Sequence, residues 1–247
     1  MAQENPFQEA THHMEATVQL LCTRLPPPQM KFVNGVAMGY RYSDQGALQA
    51  IIQKMARVVS ALRAAQLLLS GGFIQEQAAI NRMLDEAEED INFLSLGIVF
   101  GETELHKQFL TYFFIEEYGD PNRPIQTRNK RGSIPRSKIH AYLHQNPAMS
   151  SDPSTGSAVM QTIHKAYSGY IHGASPHIME MFGGTRPSFQ MSGMRNTPLW
   201  EDHVDDLWNY VYRGILSFGM AAKAFGDDDL CLRMLAYSRE FERCEPK

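Results

Sequence analysis

The chain has 247 residues, with 23 basic and 27 acidic side chains and a formal charge of −4, which excludes broad electrostatic binding of nucleic acid. Three distant cysteines, Cys22, Cys231 and Cys244, exclude a disulfide framework. Since there is neither a signal-peptide pattern nor an apolar run long enough to cross a bilayer, we expect no membrane association and a soluble, cytoplasmic protein.

Apolar residues recur at spacings of three and four along most of the chain, and this period predicts an all-α protein. The first predicted helix covers about residues 8 to 25 and ends at Pro26-Pro27-Pro28, which lack amide donors. Residues 29 to 42 are expected to be irregular. The second helix runs from about Asp44 to Leu69, and Gly71-Gly72 is typical of a C-terminal cap.

The third predicted helix, about Phe73 to Val99, has an apolar stripe on one side and charged residues on the other. The charged residues are Arg82, Asp85, Glu86 and Glu89. A fourth helix is predicted from Glu102 to Tyr118, and a basic loop separates it from a short helix near Arg136 to Gln145.

A sixth helical segment is predicted over about Ser157 to Phe182, after a loop over Asn146 to Gly156. Pro176 interrupts it, so the helix either kinks there or restarts with Ser175 as its N-cap. The seventh helix begins with Thr197 as N-cap and runs to about Phe225. A last helix follows the turn at Gly226-Asp227 and ends near Arg243.

Long helices joined by short links favour an antiparallel bundle, because neighbours of similar length bury their apolar stripes against each other. We therefore predict one helical domain over residues 1–247, an antiparallel bundle of about seven or eight helices. The loop-rich stretches 119 to 135 and 183 to 197 are expected to be insertions at the ends of the bundle.

The sixth segment contains the least ordinary residues of the chain. Gly169 and Gly173 leave one flank without side chains, which would let a ligand or another backbone approach. His172 and Ser168 are predicted on the side opposite the apolar stripe. A helix that is merely bent around the core explains the same pattern, and on the residues alone it is the favoured interpretation.

Two short motifs carry a resemblance over roughly residues 44 to 182. They are the pair Arg82 and Glu86 on the third helix, and the run from Tyr167 to Ala174 with serine, histidine and glycine at fixed spacing. Together they resemble the helical bundles of the HEPN-like superfamily, and most of all a poorly characterised bacterial branch. Active members of that superfamily are metal-independent ribonucleases and toxin components that act as dimers, with an Arg-x4-6-His motif.

The resemblance implies that His172 is the acid or base and that Arg82, from another helix, supplies the guanidinium. Within the helix of His172, the family spacing places only one basic residue, Lys165, and lysine does not grip phosphate in two places as arginine does. Ser168, Glu86, Lys165 and Tyr167 are the implied binding residues. RNA or a nucleotide is the implied ligand, and a homodimer the implied assembly; we expect no cofactor and no metal.

Other clusters are weaker candidates. His140 and His144 share a helical face, but a third metal ligand is missing nearby, and two exposed histidines are the favoured interpretation. The acidic stripe Asp202, Asp205, Asp206 is expected to be hydrated, with a divalent metal as a minor alternative. The basic residues between Arg123 and Lys138 are expected to form a solvated loop, although a local binding patch remains open.

Two hypotheses from different classes remain open, and the residues do not decide whether the protein is an enzyme. In the first, His172, Ser168, Arg82 and Glu86 converge on a polar cleft that binds or cleaves RNA or a nucleotide. In the second, the protein is a non-catalytic scaffold or partner-binding protein. Arg82 and Glu86 then form a structural ion pair, and the glycine flank seats another helix.

Overall fold

The structure is a computed structural model that describes residues 5–146 and 153–244, and within them the predicted all-α helical bundle is confirmed. The helices are α1 Pro6–Cys22, α2 Ala47–Gly71, α3 Ile74–Phe100, α4 Glu104–Phe113, α5 Arg136–Gln145, α6 Pro153–His172, α7 Ser175–Met179, α8 Pro198–Ala224 and α9 Asp228–Arg243. The short strands are β1 Gln29–Val33, β2 Val36–Arg41, β3 Phe182–Gly183 and β4 Ser188–Phe189. No helix in these ranges is long and apolar enough to span a membrane.

Helix α3 lies at the centre of the bundle and packs against α2, α8, α6, α5 and α4. Its predicted apolar stripe is buried at Leu84, Ile91 and Leu94. The charged side of α3 that the sequence predicts is covered by α5, α6 and α8. As a result, α3 buries an unusual set of charged side chains: Arg82, Asp85, Glu88, Glu89 and Asp90.

Residues 29 to 42 form a β-hairpin and not the expected irregular segment. β1 pairs antiparallel with β2, with Val33 opposite Val36. The turn residues Asn34 and Gly35 both have positive φ, 50° and 78°, as a type I′ hairpin turn requires. An Asn-Gly pair between apolar residues is the sequence signal for this turn, and the helical period of the flanking segments obscured it.

The predicted fourth and sixth helices differ from the structure in length. α4 ends at Phe113, five residues before the predicted end at Tyr118. α6 begins at Pro153 and ends at His172, where Gly173 has a left-handed φ of 61°. The chain then restarts as α7 with Ala174 as N-cap, and not Ser175. Much of the predicted loop 146 to 156 lies outside the described residues.

Several predicted boundaries are confirmed. The side chain of Thr197 caps α8 by accepting a hydrogen bond from the amide of Trp200, and Pro198 is the first helical residue. Gly72 ends α2 in the left-handed conformation, with a φ of 80°. Helix α3 begins two residues later, at Ile74, so this glycine sets the tight turn between α2 and α3, which pack against each other.

Gly97 of α3 is a position where alanine should destabilise the protein. A Cβ there would lie 2.5 Å from Cδ2 of His106. That ring is stacked on Phe93, accepts from the amide of Thr103 and donates to the carbonyl of Phe93 at 3.0 Å, so it has no room to move. Overpacking of about 1–3 kcal/mol then exceeds the gain of about 1 kcal/mol in helix propensity. We expect Gly97→Ala to lower the midpoint of denaturant unfolding.

The matched control is Gly219→Ala in α8, where the nearest atom to an added Cβ is 3.6 Å away, an ordinary van der Waals distance. There only the propensity gain applies, so we expect a stabilisation of about 0.5–1 kcal/mol. Equal shifts of the two variants in the same direction would contradict the tight packing of His106 against α3.

Candidate functional site

A cluster of ionisable side chains lies where α3 meets α6. Nη2 of Arg82 donates to Oε1 of Glu86 at 2.6 Å and also contacts Nε2 of His164. The same ring nitrogen lies 3.7 Å from Oε1 of Glu86. Since guanidinium can only donate, Nε2 of His164 must accept, which assigns its hydrogen to Nδ1. Arg82 thus holds His164 as a neutral imidazole.

The pKa of His164 agrees with this assignment. Burial lowers it below the ordinary histidine value, and the positive charge of Arg82 lowers it further. Even so, 26% of the His164 side chain and 46% of the Glu86 side chain remain exposed, whereas Arg82 is buried behind them. A neutral imidazole at the surface, backed by a buried cation, is suited to accepting a proton from a bound ligand.

A second histidine from α5 lies behind the first. The His140 ring centroid is 6.1 Å from that of His164, and its Nε2 lies 3.0 Å from Oε1 of Glu89. Burial alone would raise the pKa of Glu89, but the hydrogen bond from His140 and the charge of Arg136 outweigh it and lower this pKa to about 2. Glu89 is therefore ionised, and Nε2 of His140 donates to it.

Arg136, at the start of α5, contacts two adjacent acidic residues of α3, Glu89 and Asp90. It forms ion pairs with Glu89 and with Asp90, the latter at 2.5 Å, and Lys54 of α2 lies 2.7 Å from Asp90. These contacts fasten α5 onto α3 and so fix the position of His140.

We call this group of six residues the histidine cluster. Its members are Arg82, Glu86, Glu89, Arg136, His140 and His164. Two of its buried nitrogens have no hydrogen-bond partner: Nη1 of Arg82 and Nδ1 of His140. Buried polar atoms are rarely left without a partner, so unused donors and acceptors at one place mark a site where a ligand can complete the hydrogen bonding.

A cleft of about 500 Å³ opens beside the histidine cluster. Glu86 and Arg136 form its inner wall, and Tyr112 and Phe113 of α4 lie on another side. The segment before α5 supplies the remaining wall, including Arg131. This volume is typical of small-molecule sites, which measure about 300–1,000 Å³.

The structure brings together two of the six sequence-predicted site residues, Arg82 and Glu86. The His172 side chain is exposed and forms no hydrogen bond or ion pair with any described residue. It lies eight residues after His164 on α6, which is about 12 Å along the helix axis at ~1.5 Å per residue. One phosphate group cannot span the distance from Arg82, beside His164, to His172. The histidine that contacts Arg82 is therefore His164 and not His172.

The other three predicted site residues lie elsewhere on α6. The hydroxyl of Tyr167 donates to the carboxylate of Asp206 on α8. Ser168 is half-buried and Lys165 is exposed. These residues are not among the members of the histidine cluster, and Tyr167 instead fastens α6 to α8.

The glycine flank of α6 is occupied by this chain itself. A Cβ on Gly169 would overlap the ring of His177, whose Nε2 donates to the carbonyl of Ala166 at 3.0 Å. Its ring also meets that of Tyr170 edge-on at 4.4 Å. The absent side chain therefore allows α7 to fold back against α6 after the break at Gly173.

The weaker candidates from the sequence also have defined places. The expectation that His140 and His144 are both exposed is wrong, because Glu89 of α3 draws His140 into the interior. In the acidic stripe of α8, Asp206 accepts from Tyr167, and His203 beside it is buried against Gln77. Across residues 5–146 and 153–244, no group of three or more histidine, cysteine or acidic side chains is arranged to hold a metal ion.

His164 and Glu89 were not predicted as site residues, and Arg136 was counted among the basic residues of a solvated loop. His164 lies in an unremarkable stretch of α6, and no local motif marks it. A signal was present on α3, where acidic residues occur on nearly every side of the helix between Asp85 and Asp90. Such a helix can be buried only if cations from neighbouring helices face it.

A separate acidic pair is buried where α3 meets α8. Arg213 lies 2.8 Å from Asp85 and 3.5 Å from Glu88. Both carboxylate oxygens of Glu88 lack a hydrogen bond. Burial raises the pKa of Glu88 to about 8, with Arg213 opposing the shift. Glu88 is therefore held in its neutral form below that pH.

No protein-family model, curated protein or solved structure matches this chain. The HEPN-like resemblance therefore stays a prediction from two short motifs. Function has to be argued from the histidine cluster and the cleft beside it.

Proposed function

We propose that the protein binds RNA or a nucleotide at the histidine cluster and cleaves the phosphoester without a metal ion. The observation that carries the proposal is the contact between Arg82 and His164, in which a partly exposed neutral imidazole meets a buried guanidinium. The ligand class, RNA or a nucleotide, comes from the HEPN-like resemblance. The chemistry comes from the pair of Arg82 and His164, in which His164 takes the acid or base role that the resemblance implied for His172.

The ligand would exchange partners with the cluster. A phosphate that accepts hydrogen bonds from Arg82 replaces His164 as the partner of the guanidinium, and Nη1 of Arg82 gains the acceptor that it lacks. Nε2 of His164 is then free to accept a proton. Glu86 remains beside both groups and keeps the guanidinium in place.

The reaction that fits this arrangement is transfer within RNA. His164 takes the proton of a ribose 2′-hydroxyl as that oxygen attacks the adjacent phosphorus. The bond from phosphorus to the 5′ oxygen breaks, its electron pair leaves with that oxygen, and water protonates it, which yields a 2′,3′-cyclic phosphate. Arg82 stabilises the negative charge that develops on the phosphate oxygens.

The test compares two histidines of the same helix. We expect purified protein to cleave single-stranded RNA in the presence of a chelator and His164→Ala to slow cleavage by about 10²–10⁴-fold, the range for loss of a general base. His172→Ala, at an exposed position without described partners, should retain wild-type activity. Loss of activity in His172→Ala with retention in His164→Ala would overturn this assignment.

A second candidate function rests on the exposed apolar side chains on and around α7, which we call the α7 face. Six large apolar side chains on and around α7 are exposed: Ile171, Ile178, Met179, Phe182, Phe189 and Met191. We propose self-association through this face as the homodimer that the resemblance implies, or binding of a partner protein without catalysis. Light scattering of wild-type protein and of Met191→Asp tests it, and a monomer in both would contradict self-association.

A cytoplasmic location accords with either candidate function. The cysteines Cys22, Cys231 and Cys244 are all free thiols, as is usual in a reducing compartment.

A further inference from the structure

The basic segment between α4 and α5 is a folded loop. Tyr118 pairs with Arg128, and the amide of Gly119 donates to the carbonyl of Thr127 at 2.8 Å. The amide of Asn122 donates to the side chain of Asp120, which forms the turn. The loop therefore presents its side chains in a defined arrangement.

Its cations are unpaired, in contrast to those of the histidine cluster. Arg123, Arg128 and Lys130 are exposed, and none of their charged groups forms an ion pair or a hydrogen bond with a described residue. Between Tyr118 and Lys138, Asp120 is the sole acidic residue. Three exposed positive charges against one acidic residue, Asp120, on a short, fixed loop create a local positive potential in a chain whose overall charge is −4.

The loop is continuous with the cleft beside the histidine cluster. A surface hollow of about 730 Å³ has three cations and one carboxylate in its lining, which consists of Glu117, Arg128, Asn129, Lys130 and Arg131. Arg131 also lines the cleft that reaches Glu86 and Arg136. Nη2 of Arg131 donates to the carbonyl of Ile115 at 2.9 Å, and this hydrogen bond fixes the arginine where the hollow meets the cleft.

The cleft also contains an aromatic surface. A Cβ on Gly132 would overlap the Tyr112 ring, so this glycine lets the loop pass directly against the ring; Phe113 lies next to it. Exposed cations that lead into an aromatic cleft are typical of proteins that bind single-stranded nucleic acid. The cations contact the phosphates, and the bases stack on the rings.

We infer that the hollow and the cleft form one track for single-stranded RNA, with phosphates on Arg128 and Lys130 in the hollow and a base against Tyr112 in the cleft. This inference rests on the proposed function for the direction of the strand towards His164. It adds a binding site of several nucleotides that the histidine cluster alone does not require.

The test measures binding of a 12-nucleotide RNA whose 2′-oxygens are methylated, so that it cannot be cleaved. We expect Arg128→Ala with Lys130→Ala to weaken binding about 10-fold and to reduce the slope of log K against log salt by about 1.4, at ~0.7 for each phosphate that is no longer neutralised. The control is Arg233→Ala with Arg239→Ala, two exposed arginines of α9, which should bind as wild type.

Two further ligands test the cleft. An abasic oligomer of the same length should bind more weakly than the RNA, and Tyr112→Leu should remove the difference. Equal binding of the abasic oligomer and of RNA, or an equal loss in the α9 control, would overturn the track. Binding that depends on the loop without any cleavage by wild-type protein would refute the proposed catalysis and leave the track standing.

Discussion

Replacing Arg136 by methionine should lower the free energy of unfolding by about 3 kcal/mol. Arg136 forms ion pairs with Glu89 and Asp90, whose side chains are 3% and 5% exposed. Removing one partner of a buried pair typically costs about 3–5 kcal/mol, because the other charge stays desolvated. We expect the lower end of this range, because Glu89 keeps its hydrogen bond from His140 and Asp90 keeps its ion pair with Lys54. Urea unfolding followed by circular dichroism measures the change.

The matched control for this variant is Arg63→Met. Arg63 also forms an ion pair with a glutamate, Glu15, at 2.6 Å, but the two side chains are 45% and 44% exposed. Water screens such a pair, so we expect Arg63→Met to lower the free energy of unfolding far less than Arg136→Met. If the two variants lost the same stability, the buried ion pairs of Arg136 would not be what fastens α5 to α3.

Glu88→Gln should stabilise the protein at alkaline pH and change little at pH 5. The pKa of Glu88 is raised to about 8 in the folded chain, against about 4.5 in the unfolded chain. Between these values the folded chain holds a proton that the unfolded chain releases. The contribution of protonated Glu88 to the free energy of unfolding is therefore complete below pH 4.5, and it is lost as the pH rises through 8.

The expected size follows from the shift. One proton contributes up to about 1.4 kcal/mol per pH unit, so the difference between variant and wild type should grow to a few kcal/mol between pH 5 and pH 8. The difference is the informative quantity, because histidines with lowered pKa, such as His203, change wild-type stability in the opposite direction over this range. Urea midpoints of both proteins at several pH values measure it.

The control for Glu88→Gln is Glu76→Gln, at an exposed position on the same helix. It should unfold at the wild-type midpoint within about 0.5 kcal/mol at every pH, as is usual for surface changes. A difference between Glu88→Gln and wild type that does not change with pH would mean that Glu88 is ionised in the folded chain.

The sequence predicted the helices well because their apolar period and their caps are local signals. The Gly71-Gly72 turn and the cap at Thr197 are examples, since each depends on residues within one turn of the helix. The end of α4 was not predictable in the same way. Its amphipathic period continues towards Tyr118, but the chain leaves the helix to pair Tyr118 with Arg128, a contact across ten residues.

The site was predicted only in part, because it depends on which helix faces pack against each other. The ion pair of Arg82 with Glu86 follows from their spacing on one helix. Spacing along the helix does not decide between His164 and His172, because both lie on α6 and are about two turns apart. Packing of α6 against α3 brings the earlier one to Arg82, and the burial of His140 likewise depends on Glu89 of another helix.

The binding of a phosphate between Arg82 and His164 is tested most directly by NMR of the histidine rings. Protein labelled with ¹⁵N in histidine is titrated with the methylated RNA, and the signals are assigned with His164→Ala and His172→Ala. The expected result is a change in the His164 ring signals on binding, with those of His172 unchanged. A change at His172 while His164 keeps its free-state signals would contradict binding at the histidine cluster.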